Sequence, residues 1–126
     1  QKLTAMRERL ITGVLDAVPH AYVTGHRSRR LPNSASFCFD DVPADALLIN
    51  LDLAGVFASS GSACHAGSLE PSAVLTAMGI PRPRALGALR LTLGNENTMD
   101  DVEYVLGVLP PLIERLRSAD GAGHGH

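Results

Sequence analysis

Leu89-Arg90-Leu91-Thr92-Leu93 alternates large apolar with polar side chains. A period of two is the pattern of a strand with one face on a core and the other carrying a charge. Upstream, Ser34 to Phe39 has the same character, with Phe37 and Phe39 on one side. Downstream the period lengthens: Val102, Val105, Leu106, Leu109, Ile113 and Leu116 face inward on a helix running to about Arg117. Thr98 or Asp100 caps it, and Pro110-Pro111 should kink it. At the other end of the chain, Leu3, Met6, Leu10, Val14 and Val18 recur at three- and four-residue steps, with Ile11 and Leu15 widening the stripe, until Pro19 ends the helix. Strands so short and few exclude a doubly wound parallel sheet. They predict an α+β domain, a small, mostly antiparallel sheet covered by helices.

The intervening segments follow from local chemistry. Ala21 to Thr24 reads as a short strand and Gly25 to Asn33 as an Arg-rich loop. Asp40-Asp41-Val42-Pro43 supplies helix-start chemistry for Ala44 to Leu53, which ends at Gly55. Val56-Phe57-Ala58 reads as a strand edge, and Ser59 to Ser68, without one large apolar side chain, as a loop. A helix opening near Pro71 buries Val74, Leu75 and Met78 and closes at Gly79, after which Pro81 and Pro83 prohibit a regular helix until about Arg84. Residues 1–117 then form one domain, and 118–126 a disordered Gly/His tail.

At 126 residues, 45% hydrophobic and 19% charged, the chain has the length of one compact domain. Two full lobes around an enclosed cofactor cavity do not fit within it. A net charge of −2 argues against nucleic acid as a partner. No apolar run approaches the roughly 20 residues needed to span a bilayer, so no membrane partner and a cytoplasmic location are expected. Cys38 and Cys64 form no CxxC or Cys/His ligand spacing, which excludes a structural zinc motif. Their default state in a reducing compartment is two free thiols, with a disulfide left open.

Cys64 is the residue most suggestive of chemistry. A structural cysteine is usually buried among apolar neighbours, whereas Cys64 stands in a Gly/Ser-rich segment that offers little packing, the environment of an exposed, reactive thiol. His65 reads in two ways, as a group assisting proton transfer or as a neighbour pointing elsewhere. Cys38, between Phe37 and Phe39, reads as a small residue packed in the sheet. Arg90 is either an ordinary outward charge or a planar fork for a carboxylate. Arg27, Arg29 and Arg30 are a solvated loop, or a contact for an acidic partner. The one lysine, Lys2, lies at a frayed end, unsuited to Schiff-base catalysis, and no metal site is indicated.

Ser59-Ser60-Gly61-Ser62-Ala63-Cys64-His65-Ala66-Gly67-Ser68-Leu69-Glu70-Pro71-Ser72, followed by Val74-Leu75 and Ala77-Met78-Gly79, closely resembles the active-site cysteine loop of bacterial cysteine desulfurases. These are pyridoxal-phosphate enzymes of fold type I in the class V aminotransferase group. Leu86 to Gly94 resembles the family's following strand, Thr98 to Arg117 its last helix, and Leu31 to Phe39 an earlier strand of its small carboxy-terminal domain. The resemblance implies that Cys64 is the nucleophile that takes sulfur from L-cysteine as a persulfide, releasing L-alanine. It implies that Arg90 binds the substrate carboxylate, and that His65 is an auxiliary group like that of some selenocysteine lyases.

The family's cofactor lobe, with its Schiff-base lysine, has no counterpart in this sequence. The resemblance therefore implies pyridoxal phosphate in the complete enzyme, none bound by this chain alone, and an inactive isolated segment. It leaves open whether the chain itself counts as an enzyme. Implied partners are the large domain in cis or in trans, a sulfur-acceptor or iron–sulfur scaffold protein, and a homodimer formed only with the large domain. Two alternatives stand beside this: a stand-alone sulfur carrier loaded in trans, and one half of a split desulfurase or selenocysteine lyase.

Overall fold

The computed structural model describes residues 2–24, 34–60, 63–65, 68–70 and 76–124. The predicted arginine loop at 25–33 and the residues 71–75, with Val74 and Leu75, lie outside them. In chain order the elements are α1 (Lys2–Ala17), β1 (Ala21–Val23), β2 (Ser34–Phe39), α2 (Ala44–Leu53), β3 (Ser59–Ser60), β4 (Ala63–His65), β5 (Ser68–Glu70), α3 (Arg82–Ala85), β6 (Ala88–Thr92) and α4 (Met99–His124). Four strands make an antiparallel sheet in the order β1-β2-β6-β3, and β4 with β5 forms a separate two-stranded ribbon. The expected α+β architecture is the observed one.

Alternation on the central strands creates the core. Phe37 is the cross-strand partner of Leu89, and Ala35 of Leu91, so these side chains share one face, where all four are buried. Phe37 and Phe39 stack there with ring centroids 5.8 Å apart. Met6, Leu10, Ile11 and Val14 of α1, Leu47 and Leu51 of α2, and Val102, Leu109 and Ile113 of α4 close over that face. α1 and α4 run side by side, joined by a two-pronged Arg9–Glu103 ion pair at 2.7 and 3.0 Å. Leu15, expected to widen the α1 stripe, is exposed, because the stripe that meets the sheet and α4 is already filled.

Several boundaries differ from expectation for identifiable reasons. α2 starts after Pro43 with no side-chain cap, because proline at the cap position carries no acceptor, while the Asp40 carboxylate accepts from Arg84 Nε at 2.9 Å. The strand expected at Val56–Ala58 lies one step later, at Ser59–Ser60: Gly55 turns the chain at φ +84°, Val56 drops into the core, and pairing with β6 begins only afterwards. The expected loop at Ser59–Ser68 contains β3, β4 and the start of β5, since backbone pairing needs no large side chain. Met78 is exposed, not buried, beside Gly79 at φ +80°. α3 includes Arg82 and Pro83, because proline in a first turn lacks only an N–H that would be unpaired anyway.

α4 opens with a reciprocal cap: the Thr98 N–H donates to Asp101 Oδ2 at 2.9 Å, and the Asp101 N–H reaches Thr98 Oγ1 at 3.4 Å. The hydrogen bond from the Thr98 backbone, helped by Asn97, holds the Asp101 carboxyl below its ordinary value. The helix passes through Pro110 and Pro111 and continues to His124, so the segment expected to be disordered from 118 is helical to that point. Once a helix is nucleated, each further residue adds a bond at little extra cost.

Candidate functional site

The sheet has two unlike faces. The β6 residues Leu89 and Leu91 point into the core, whereas Arg90 and Thr92 are exposed on the opposite side. Arg90 has Ser36 of β2 as its Cα partner on one side and Ser59 of β3 on the other, which puts the three residues in one row on the face opposite the core. Ser59 is exposed and Ser36 half-buried. Among the described residues the Arg90 guanidinium makes no hydrogen bond or ion pair. Of the two readings open for Arg90, its outward direction fits both, and its unengaged state is what a fork for an incoming anion requires.

Toward the other end of that face the chemistry is self-contained. Arg84 lies 3.7 Å over the Tyr22 ring centroid while its Nε bonds Asp40, and Tyr22 Oη donates to Asp40 Oδ2 at 3.4 Å. Cys38 sits on this half of the sheet, paired with Tyr22 and Ala88, with no exposed surface. Burial pushes its thiol up to about 11, against a smaller opposing pull from the Arg84 charge. The structural reading of Cys38 stands: at neutral pH it is a protonated packing residue.

Cys64 lies on β4, with Leu69 of β5 as its Cα partner, and the adjacent His65 pairs with Ser68. Consecutive residues of a strand occupy opposite faces of a ribbon, so register alone does not bring the two positions together. β3 and β4 are separated by only two residues, 61 and 62. From Ser59 to Cys64 is five residues, a reach of at most about 18 Å even fully extended. Since Ser59 is the direct neighbour of Arg90, topology tethers the Cys64 ribbon within that reach of the strand paired with Arg90. The row-mates Ser36 and Ser59 were not singled out from sequence, because only strand register reveals them.

Pyridoxal phosphate does not fit the described residues. Lys2 is exposed in the first turn of α1, with its Nζ donating to the Asn95 carbonyl at 3.0 Å, far from the desolvated pocket that a Schiff-base amine needs. Among the described residues no group of three or more His, Cys, Asp or Glu could hold a metal ion, and no helix is long and apolar enough to cross a membrane.

Comparison with known proteins bears on most of the chain. Residues 1–105 match the family model described as Aminotransferase class-V. Cysteine desulfurase IscS of Clostridium botulinum is 45% identical over 119 residues, covering 93% of this chain and 30% of that protein. A cysteine desulfurase of Gluconacetobacter diazotrophicus is 47% identical over 116 residues, covering 92% of this chain and 29% of its own length. A solved structure of a NifS-like protein superimposes with a TM-score of 0.75 at 26% identity, over 91% of this chain and 28% of that one. The chain thus spans under a third of the length of these relatives.

Proposed function

Because this chain belongs to the aminotransferase class-V family, we propose that it is the carboxy-terminal, sulfur-receiving part of a cysteine desulfurase, with residues 1–117 as its small domain. The observation that carries this reading is the short tether from the Arg90 row to the Cys64 ribbon through β3. One reactant then meets two kinds of group from one stretch of chain: a guanidinium for its carboxylate and a thiol for its sulfur.

In this reading Arg90 binds and orients the L-cysteine carboxylate on the exposed sheet face. Cys64 supplies the nucleophile, as its thiolate. The substrate C–S bond breaks and an S–S bond forms, so that the Cys64 thiol plus L-cysteine become a Cys64 persulfide plus L-alanine, with no external oxidant. Placing the thiol on a narrow ribbon outside the main sheet suits a group that must both receive sulfur and present it to an acceptor protein. His65 is the auxiliary candidate for proton transfer. Pyridoxal phosphate belongs to the remaining length of the complete protein, as does any homodimer contact built on it, and no step through it is assigned to residues of this chain. The isolated chain is inactive on this reading.

Grafting the chain in place of the matched 119-residue segment of the Clostridium botulinum relative tests this. The chimera should release alanine from L-cysteine and carry one added sulfur atom at Cys64 by mass spectrometry, and Cys64→Ser should abolish both. A folded, cofactor-loaded chimera that releases alanine equally well with Cys64→Ser would refute the assignment.

A further inference from the structure

Arg90, Thr92 and Ser59 are the exposed residues of a sheet face on which Ser34, Cys38 and Ala88 are buried. Ser34, Ser36, Ala88, Thr92 and Ser59 surround Arg90, and none of them is acidic. The row Ser36–Arg90–Ser59 runs straight across β2, β6 and β3, with neighbouring Cβ atoms roughly 5 Å apart, as in any directly opposed pair.

We propose that Ser36 and Ser59 are specificity-determining partners of Arg90, forming with it a carboxylate-receiving row three strands wide. This rests on the reading of Arg90 given above and extends it to two residues that no motif marks. A carboxylate has about four lone-pair positions on two oxygens, of which the guanidinium fork occupies two. A hydroxyl on each side donates to what remains. Serine suits the task because it orders few rotatable bonds and leaves the arginine open to a ligand approaching from above the sheet. The row distinguishes a carboxylate from its amide, which replaces one accepting oxygen with a donor aimed at the guanidinium.

The test titrates the folded chimera described above with L-alanine, and separately with L-alaninamide, following the Arg90 Nε–H and the Ser36 and Ser59 amides by NMR. L-Alanine should give saturable shifts at all three positions, and the amide should not. Ser36→Ala and Ser59→Ala should each weaken L-alanine binding about three- to tenfold, with Ser59→Thr restoring it and thermal midpoints unchanged. Arg90→Gln should abolish binding. If Arg90→Gln abolishes binding but both serine variants match the wild type, the row is wrong and the Arg90 assignment survives. If Arg90→Gln still binds, or the wild type shows no carboxylate-dependent shift, both are overturned.

Discussion

Gly87 approaches Phe39 so closely that a side chain at position 87 would overlap the Phe39 carbonyl oxygen and lie 2.8 Å from that of Val42. The contact is also a bond, because the Phe39 N–H donates to the Gly87 carbonyl at 3.1 Å. It joins the end of β2 to the entry of β6 and so sets the register that brings Ser36 opposite Arg90. Both obstacles are backbone atoms, which cannot swing away. Gly87→Ala should destabilise the fold by about 1–3 kcal/mol in chemical denaturation, and a wild-type midpoint would contradict the close approach.

Arg117 fastens α4 to the turn before β1 and to the end of β2. Its guanidinium donates to the carbonyls of Asp40 at 3.0 Å, Pro19 at 2.7 Å and His20 at 3.2 Å. Arg117→Met keeps the stem but leaves three carbonyls to water, and should cost about 1–2 kcal/mol. Arg117→Lys should recover only part of this, since an ammonium cannot match the spread of the fork. Thermal unfolding of the two variants beside the wild type gives the order.

Arg7 presents the opposite case. Its side chain is 9% exposed, and although Nη2 reaches Glu8 at 3.2 Å, Nε and Nη1 are buried with no partner among the described residues. Donors buried unpaired cost more than an apolar group of similar size. Arg7→Met should therefore raise stability by about 1–2 kcal/mol. A fall in the denaturation midpoint would show that those donors are in use.

Cys38 makes stability depend on alkaline pH. Its folded value of about 11 lies above the ordinary thiol value of 9.0, so between them the folded state holds a proton that the unfolded state has released. The stability is fully present below about pH 9 and declines as pH rises toward 11, by roughly 2–3 kcal/mol in all. Cys38→Ala should flatten that part of the pH–stability curve. In native protein at neutral pH, iodoacetamide should label Cys64 well before Cys38, and equal rates would remove the case for Cys64 as the reactive thiol.

The elements that were legible are those whose signal is carried within one element. α1, β2, β6 and α4 are each readable because burying one face imposes a period of 3.6 or 2 on the residues themselves, and α2 from the helix-start chemistry of Asp40-Asp41-Val42-Pro43. β4 and β5 escape, and β3 is expected one step early, because Ser59-Ser60, Ala63-Cys64-His65 and Ser68-Leu69-Glu70 show no apolar alternation, and a strand two or three residues long exists only where a partner edge is offered. α3 was masked by prolines that a first turn tolerates. The site divides the same way: a cysteine out of place among glycines and serines, and an arginine interrupting a leucine strand, stand out as residue types. Ser36 and Ser59 look ordinary until register sets them beside Arg90.

The sequence by itself determined the fold class, the family and the two residue types that carry the proposed chemistry, because periodicity, composition and an ordered motif are properties of neighbours along the chain. Only the tertiary structure decided which face Arg90 occupies, which residues flank it, and that Cys38 is sealed while the Cys64 ribbon hangs from the strand beside Arg90. Those depend on hydrogen bonds between strands that lie dozens of residues apart, Ser36 with Arg90 and Arg90 with Ser59. Such pairings are set by the fit of a whole core, not by any local preference.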